Sequence, residues 1–231
     1  MFDSKAIIKN RSMHSKTKTE ERSIILIVSS DKDTASQNIA RHILMLQPFK
    51  QTYEQFQDNP IHQTEIHNRK VQLVTLNQEL VHAQNITDSF TNPELVIFIS
   101  KHSSTSGKPT LSVHTPGNIA DAQLGGIPRK VSISPANPMR TCLQAMTRAT
   151  KNQKLDYEVS YEGTHHGPSL DVPTMFAELG SSPPQWNDTN AAKAVARAVI
   201  ETISAFNEKP VETVLGIGGP HYNAKFTRMA L

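Results

Sequence analysis

Along the chain, short unbroken apolar runs alternate with stretches whose apolar residues recur every three to four positions. Ser23 to Ser30 is almost continuously apolar and ends in small polar residues, as a strand buried on both faces does. Asp31 to Thr34 supplies capping residues. Ile39, Ile43 and Leu46 then give one apolar face to a helix over Ala35–Leu46, which Pro48 stops. Val71–Leu76 and Leu95–Ser100 predict further strands, and Leu111–His114 and Val131–Ile133 give weaker strand signals. A helix opens at Pro138 and runs to about Thr150. Glu158–Glu162 and Met175–Leu179 predict strands on either side of a tight turn. Asp188–Phe206 is a capped, alanine-rich amphipathic helix, and Val211–Ile217 reads as a closing strand. Residues 47–70, rich in Gln, Asn and Thr, read as a variable loop.

Strands separated by helices predict an α/β fold in three layers, with a mostly parallel or mixed central sheet and helices on both faces. Ligands of such sheets sit beyond the carboxyl ends of the strands. Residues 1–22 are a polar lead-in, and residues 23–231 are expected to form one α/β domain, with no internal repeat.

Charge and cysteine usage narrow the classes. The chain of 231 residues carries 24 Lys plus Arg against 21 Asp plus Glu, a net +3. That excludes a protein that coats nucleic acid by bulk charge, though not one with a local phosphate-binding patch. The one cysteine, Cys142, falls in a predicted helix as a small buried side chain, consistent with a reducing compartment. No apolar run approaches the roughly 18–20 residues of a spanning helix, and the first 22 residues lack a signal-peptide apolar region. A soluble, cytoplasmic protein is expected.

The chemistry concentrates in three segments. In Glu162-Gly163-Thr164-His165-His166-Gly167-Pro168, glycines and a proline frame adjacent histidines on a tight turn. Ser100-Lys101-His102-Ser103-Ser104 follows another strand, with hydroxyls and a lysine able to hold anionic oxygens. Gly218-Gly219-Pro220-His221-Tyr222 follows the last, its glycines permitting close approach of backbone to a ligand. His102, His165, His166 and His221 are thus expected together at one edge of the sheet, with Glu162, Asp171 and Asp121 as candidate carboxylates. Neutral imidazole is the commonest protein metal ligand and suits zinc. The alternative, structural hydrogen bonds from His165 and His166, loses ground to the Gly-Pro frame and the two further histidines. The segments lack the Walker spacing, a GxSxG elbow and GxGxxG. His114 by itself reads as structural, and Trp186 as a loop anchor.

The segments SKHSSTSGKPTLSVHTPGN, YEGTHHGPSLDVPTMFAELGSSPPQW and GIGGPHYNAKFT, in this order, resemble the archaeal and plant type of D-aminoacyl-tRNA deacylase, over most of the chain from about Ile24. The resemblance implies hydrolysis of the ester between a D-amino acid and the 3′ end of tRNA, which recycles free tRNA and prevents D-amino-acid toxicity. It also implies zinc dependence and a fold related to peptidyl-tRNA hydrolase and nucleoside phosphorylase. Carried over residue by residue, it makes His102, Thr164, His165 and His166 the catalytic candidates. Lys101, Ser103, Ser104, Gly218, Gly219 and Tyr222 become substrate-binding, and His165, His166, His221 and Glu162 the candidate Zn2+ ligands. Lys108, Arg129, Lys225 and Arg228 join Lys101 as candidate contacts to tRNA phosphates. Two departures stand out. Pro220 occupies a position where the family has glycine, which removes a backbone N–H, and the chain stops soon after the third motif, so it is expected to be C-terminally short. The alternatives are a peptidyl-tRNA hydrolase or nucleoside phosphorylase-like enzyme, and a non-catalytic tRNA- or metal-binding relative. A monomer is expected, with D-aminoacyl-tRNA as partner.

Overall fold

The computed structural model describes residues 24–90, 93–207 and 212–231. The polar lead-in lies outside them. An eight-stranded mixed sheet runs in the order β2-β3-β4-β1-β5-β10-β6-β9. Its strands are β1 (Ile24–Ser30), β2 (Lys50–Phe56), β3 (Asn59–Ile66), β4 (Arg69–Leu76), β5 (Pro93–Ser103), β6 (Thr110–His114), β9 (Glu158–Tyr161) and β10 (Thr174–Ser181). The two-residue strands β7 (Gly117–Asn118) and β8 (Lys130–Val131) pair separately. β1 lies parallel between β4 and β5, and β10 continues parallel to β5. β6 then runs antiparallel to β10, and β9 parallel to β6.

The expected mixed α/β sheet is present, and its faces are covered differently. Helices α1 (Thr34–Leu46), α2 (Ala136–Gln153) and α4 (Thr189–Ala205) bury their apolar stripes against Ile25, Ile27, Leu95, Ile97, Ile99, Met175, Ala177 and Leu179. Alternate residues of the same strands, Leu26, Val28, Val96, Phe98 and Phe176, face 3-10 turns at Leu80–His82 and Ile86–Ser89 and the loop at Leu170. The period-2 geometry of a strand makes this division. Asp33 caps α1 by accepting from Ser36 N at 2.9 Å, and Asp188 caps α4 by accepting from Asn190 N and Ala191 N. Two short helices, α3 (Pro183–Trp186) and α5 (Ala224–Ala230), complete the described elements.

Two expectations need correction. Residues 47–70 are not a loop but the β2–β3 hairpin leading into β4. Their polar character is that of an edge hairpin exposed on much of its surface, and its turns use Gln57-Asp58 and His67-Asn68 at positive φ instead of glycine. The closing strand at 211–217 is also absent from the part described. Residues 212–217 pair with no strand and leave Val214, Leu215 and Ile217 exposed, whereas Val211 lies outside the described residues.

Candidate active site

The site lies on the sheet face opposite α1, α2 and α4, where three strands place polar residues beside an aromatic row. Phe98, Phe176 and His114 are cross-strand partners on β5, β10 and β6. Their rings stack, with centroids 4.8 Å apart for Phe98–Phe176 and 5.1 Å for His114–Phe176. Two residues further along β5 and β10 the same face turns polar at Ser100, paired with Glu178, and then at His102, paired with Gly180. Gly180 is required there, because a Cβ would lie 2.6 Å from His102 Cβ and 2.8 Å from Cδ2.

Glu162 and the histidine pair arrive on the loop that leaves β9 and crosses the face to enter β10. The loop is pinned by an isolated bridge between Pro116 and His165 and by Gly117 N donating to His166 O at 2.6 Å. Gly167 packs against the 125–126 backbone, where a Cβ would come within 2.2 Å of Gly126 N. His221 and Tyr222 come from the segment before α5, which lies antiparallel to the end of β9 through an isolated Glu162–Tyr222 bridge and Gly163 N donating to His221 O at 2.9 Å.

These segments converge on two buried carboxylates. His102 Nδ1 lies 3.1 Å from Glu162 Oε1 and 3.3 Å from Glu178 Oε2, while its Nε2 is 2.7 Å from Tyr222 Oη. His221 Nε2 lies 3.0 Å and His165 Nε2 3.7 Å from Glu162 Oε2, and His114 Nε2 lies 3.8 Å from Glu178 Oε2. Close as these contacts are, neither Glu162 oxygen has an aligned hydrogen bond, and buried His114 Nε2 also lacks one. Buried acceptors left unpaired are costly, so this arrangement asks for a cation or a substrate donor.

Electrostatics sorts the groups. Burial penalises ionised Glu178, but the close approach of His102 and His114 outweighs it and holds the carboxyl well below its usual range. Glu162 is likewise lowered, with burial opposed first by its contact with His221. Burial pulls His102 and His114 down, yet their contacts with Glu178 leave both raised. His165 and His166 go the other way. Burial first, then the charge of His114, lowers both to about 4, so they are neutral at physiological pH.

The donor set fits a metal ion. His114, His165 and His166 each offer a ring nitrogen, and these lie within 4.8 Å of one another. Each Nδ1 meets a backbone carbonyl: Thr115 O at 3.3 Å, Gly163 O at 2.8 Å and Gly167 O at 2.8 Å. A second bond of this kind orients metal-binding histidines and leaves Nε2 facing outward as the ligand atom. Two further groups, His102-Glu162-His221 and His114-Glu162-Glu178, meet the same spacing.

Most residues singled out in sequence gather here, but over the sheet face and not beyond the strand ends. The reason is topological: β6 and β9 run against β10, so the Glu162 backbone, which follows β9, lies level with His114, and its carboxylate reaches across the face to His102. Thr164 sits half-buried between the two loop glycines. Ser103 is exposed, Ser104 Oγ meets Ser106 Oγ at 2.9 Å, and Lys101 pairs with Glu79 at 3.6 Å. Gly218 and Gly219 hold positive φ, and Asn223 Nδ2 donates to Gly218 O. Lys108 pairs with Glu158, while Arg129, Lys225 and Arg228 are exposed. Asp171 and Asp121 are outside the site: Asp171 pairs with Lys130 at the surface, and Asp121 is exposed. Sequence reasoning missed Glu178 and took His114 for a structural residue. Glu178 had a signal, a lone carboxylate in an otherwise apolar buried strand. Trp186, read as a loop anchor, donates its indole N–H to His102 O at 2.8 Å.

The model of the D-aminoacyl-tRNA deacylase family matches residues 89–231. A D-aminoacyl-tRNA deacylase of Methanococcus maripaludis is 38% identical over 218 residues, covering 89% of this chain and 74% of its own length. The chain belongs to the D-aminoacyl-tRNA deacylase family. A second family member, from Thermococcus kodakarensis, is 32% identical over 212 residues, covering 89% of this chain and 75% of its own. Among solved structures, a conserved protein of unknown function superposes with a TM-score of 0.79 at 28% identity, covering 90% of this chain and 73% of that one. Futalosine hydrolase of Helicobacter pylori, at a TM-score of 0.53 and 13% identity over 80% of this chain and 99% of that one, shares the fold alone. No helix among the described residues is long and apolar enough to cross a membrane.

Proposed function

We propose that this deacylase hydrolyses the ester between a D-amino acid and the 3′ end of tRNA at the Glu162–Glu178 site, and that the resident ion is zinc. The observation that carries the site assignment is the pair of unpartnered, buried Glu162 oxygens ringed by His102, His165 and His221. His114, His165 and His166 would hold the metal, three neutral-capable imidazoles with their Nδ1 atoms already anchored. When bound, zinc supplies Lewis acidity toward the ester carbonyl.

The remaining work falls to side chains of this chain. Ionised Glu162 takes a proton from the attacking water as its oxygen bonds to the ester carbon. His221, more exposed than the other site histidines and 3.0 Å from Glu162, delivers a proton to the departing ribose oxygen as the C–O bond breaks. Products are the free D-amino acid and tRNA with its terminal hydroxyl restored. His102, fixed by Glu162, Glu178 and Tyr222, provides a donor near the carbonyl oxygen, where negative charge develops. The Ser103–Ser106 loop and the Gly218–Gly219 backbone flank the site and supply polar contacts for the terminal ribose. Exposed Arg129, Lys225 and Arg228 offer charge to tRNA phosphates, so binding weakens with salt.

The test is release of D-tyrosine and of L-tyrosine from charged tRNA, with and without a zinc chelator. Fast loss of the D-ester, abolished by the chelator and restored by zinc, is expected. Equal loss of both esters would reject the chiral assignment, and hydrolysis indifferent to chelation would reject the metal.

A further inference from the structure

Asp33 lies in a different part of the sequence from every residue given a role above, yet its carboxylate reaches the strand that carries His102. β1 accompanies β5 only as far as the Val28–Phe98 pair. Beyond it, Ser100 to Ser103 keep β10 on one side but have, among the described residues, no strand on the β1 side. The Asp33 carboxylate fills that place. Its Oδ2 accepts from Lys101 N at 2.8 Å and from Ser100 Oγ at 3.3 Å, while Oδ1 caps α1 through Ser36 N at 2.9 Å. A helix cap needs one acceptor oxygen, and serine or asparagine supplies it as well as aspartate does. The second oxygen, on a residue only 5% exposed, serves the strand.

We infer that Asp33 is a positioning residue for the reaction: by standing in for the missing strand it fixes the Ser100–Ser103 backbone, and so the placement of the His102 ring between Glu162 and Glu178. The inference rests on the catalytic reading of His102 given above. The lone tryptophan of the chain offers an independent readout, since Trp186 Nε1 bonds to His102 O at 2.8 Å.

Asp33→Ser keeps the cap but is too short to reach Lys101 as well; Asp33→Asn keeps size and gives up the charge and one acceptor. Both should lower kcat by about 10-fold or more with KM for D-tyrosyl-tRNA little changed. Both should also shift the Trp186 emission of the native protein. A role limited to capping α1, which serine and asparagine both fill, would leave melting temperature, kcat and emission of both variants near the parent's. Parental kcat and emission in either folded variant would overturn the inference. A parent that hydrolyses no D-ester would instead overturn the functional reading, while the emission shift would still report on the strand.

Discussion

The two faces of β5 and β10 are built from alternate residues of the same strands and do different jobs. Toward the helices, Leu95, Ile97, Ile99, Met175, Ala177 and Leu179 form an unbroken apolar row and are fully buried. Toward the other side, Val96 and Phe98 give way to Ser100 and His102, and Phe176 to Glu178 and Gly180. The first face needs only volume and apolarity, which helices cover well. The second carries buried charges that are tolerable because they are paired, and it is covered by turns and a crossing loop that can bring in Glu162, His165 and His166. Stability and chemistry are thus separated by the pleat of one strand, so neighbouring residues should respond to mutation in opposite ways.

The largest effect should come from Glu162→Gln. It keeps the shape of the polar face and removes the base, so kcat should fall by about 10²–10⁴-fold in a folded protein. Retained turnover would remove Glu162 from the mechanism. Next is Gly180→Ala, which adds a single methyl beneath the His102 ring. Displacing that ring should cost about 10²-fold in kcat, together with about 1–3 kcal/mol of stability read from chemical denaturation. A silent substitution would show that His102 does not need its present seat.

A subtler contrast lies in acid sensitivity of the chelated protein. His165 and His166 titrate near 4 when folded, below the ordinary value of about 6.5. The unfolded chain therefore takes up protons first, and these two residues make stability decline as pH falls from about 6.5 toward 4. Melting temperatures across that window should drop in the parent and drop less in a His165→Asn, His166→Asn double variant. Identical slopes would contradict the assignment. The smallest effect belongs to Asp171→Ala, which removes an exposed partner of Lys130 outside the site. Activity and melting temperature should match the parent within error.

How much of this the chain reveals on its own depends on whether the signal is local. β1, α1, α4 and β10 are legible because each has its own apolar period and, for the helices, an aspartate cap. The β2–β3 hairpin is not, since an edge hairpin exposed on much of its surface leaves no apolar alternation, and its turns lack the glycine that would flag them. The His165–His166 turn and His102 stand out by composition. His114 does not, because its meaning comes from register: pairing with Phe176 puts it over the same face as Glu178. Glu178 sits within an apolar run, and its partners are His102, 76 positions earlier, and His114, 64 earlier, by their residue numbers. Residues 212–217 mislead in the other direction, an apolar run that reads as a strand but has no strand beside it among the described residues.

The most direct test compares Glu178→Gln with Leu179→Ala, adjacent in β10 and on opposite faces. Single-turnover hydrolysis of D-tyrosyl-tRNA, normalised to folded protein, is the measurement. Glu178→Gln should slow the reaction by about 10²-fold, since His102 and His114 lose the charge that holds them. Leu179→Ala should lose about 2–5 kcal/mol of stability and keep the parental rate per folded molecule. Full-rate hydrolysis by Glu178→Gln, or a slow reaction in folded Leu179→Ala, would contradict the division of the sheet into a structural and a catalytic face.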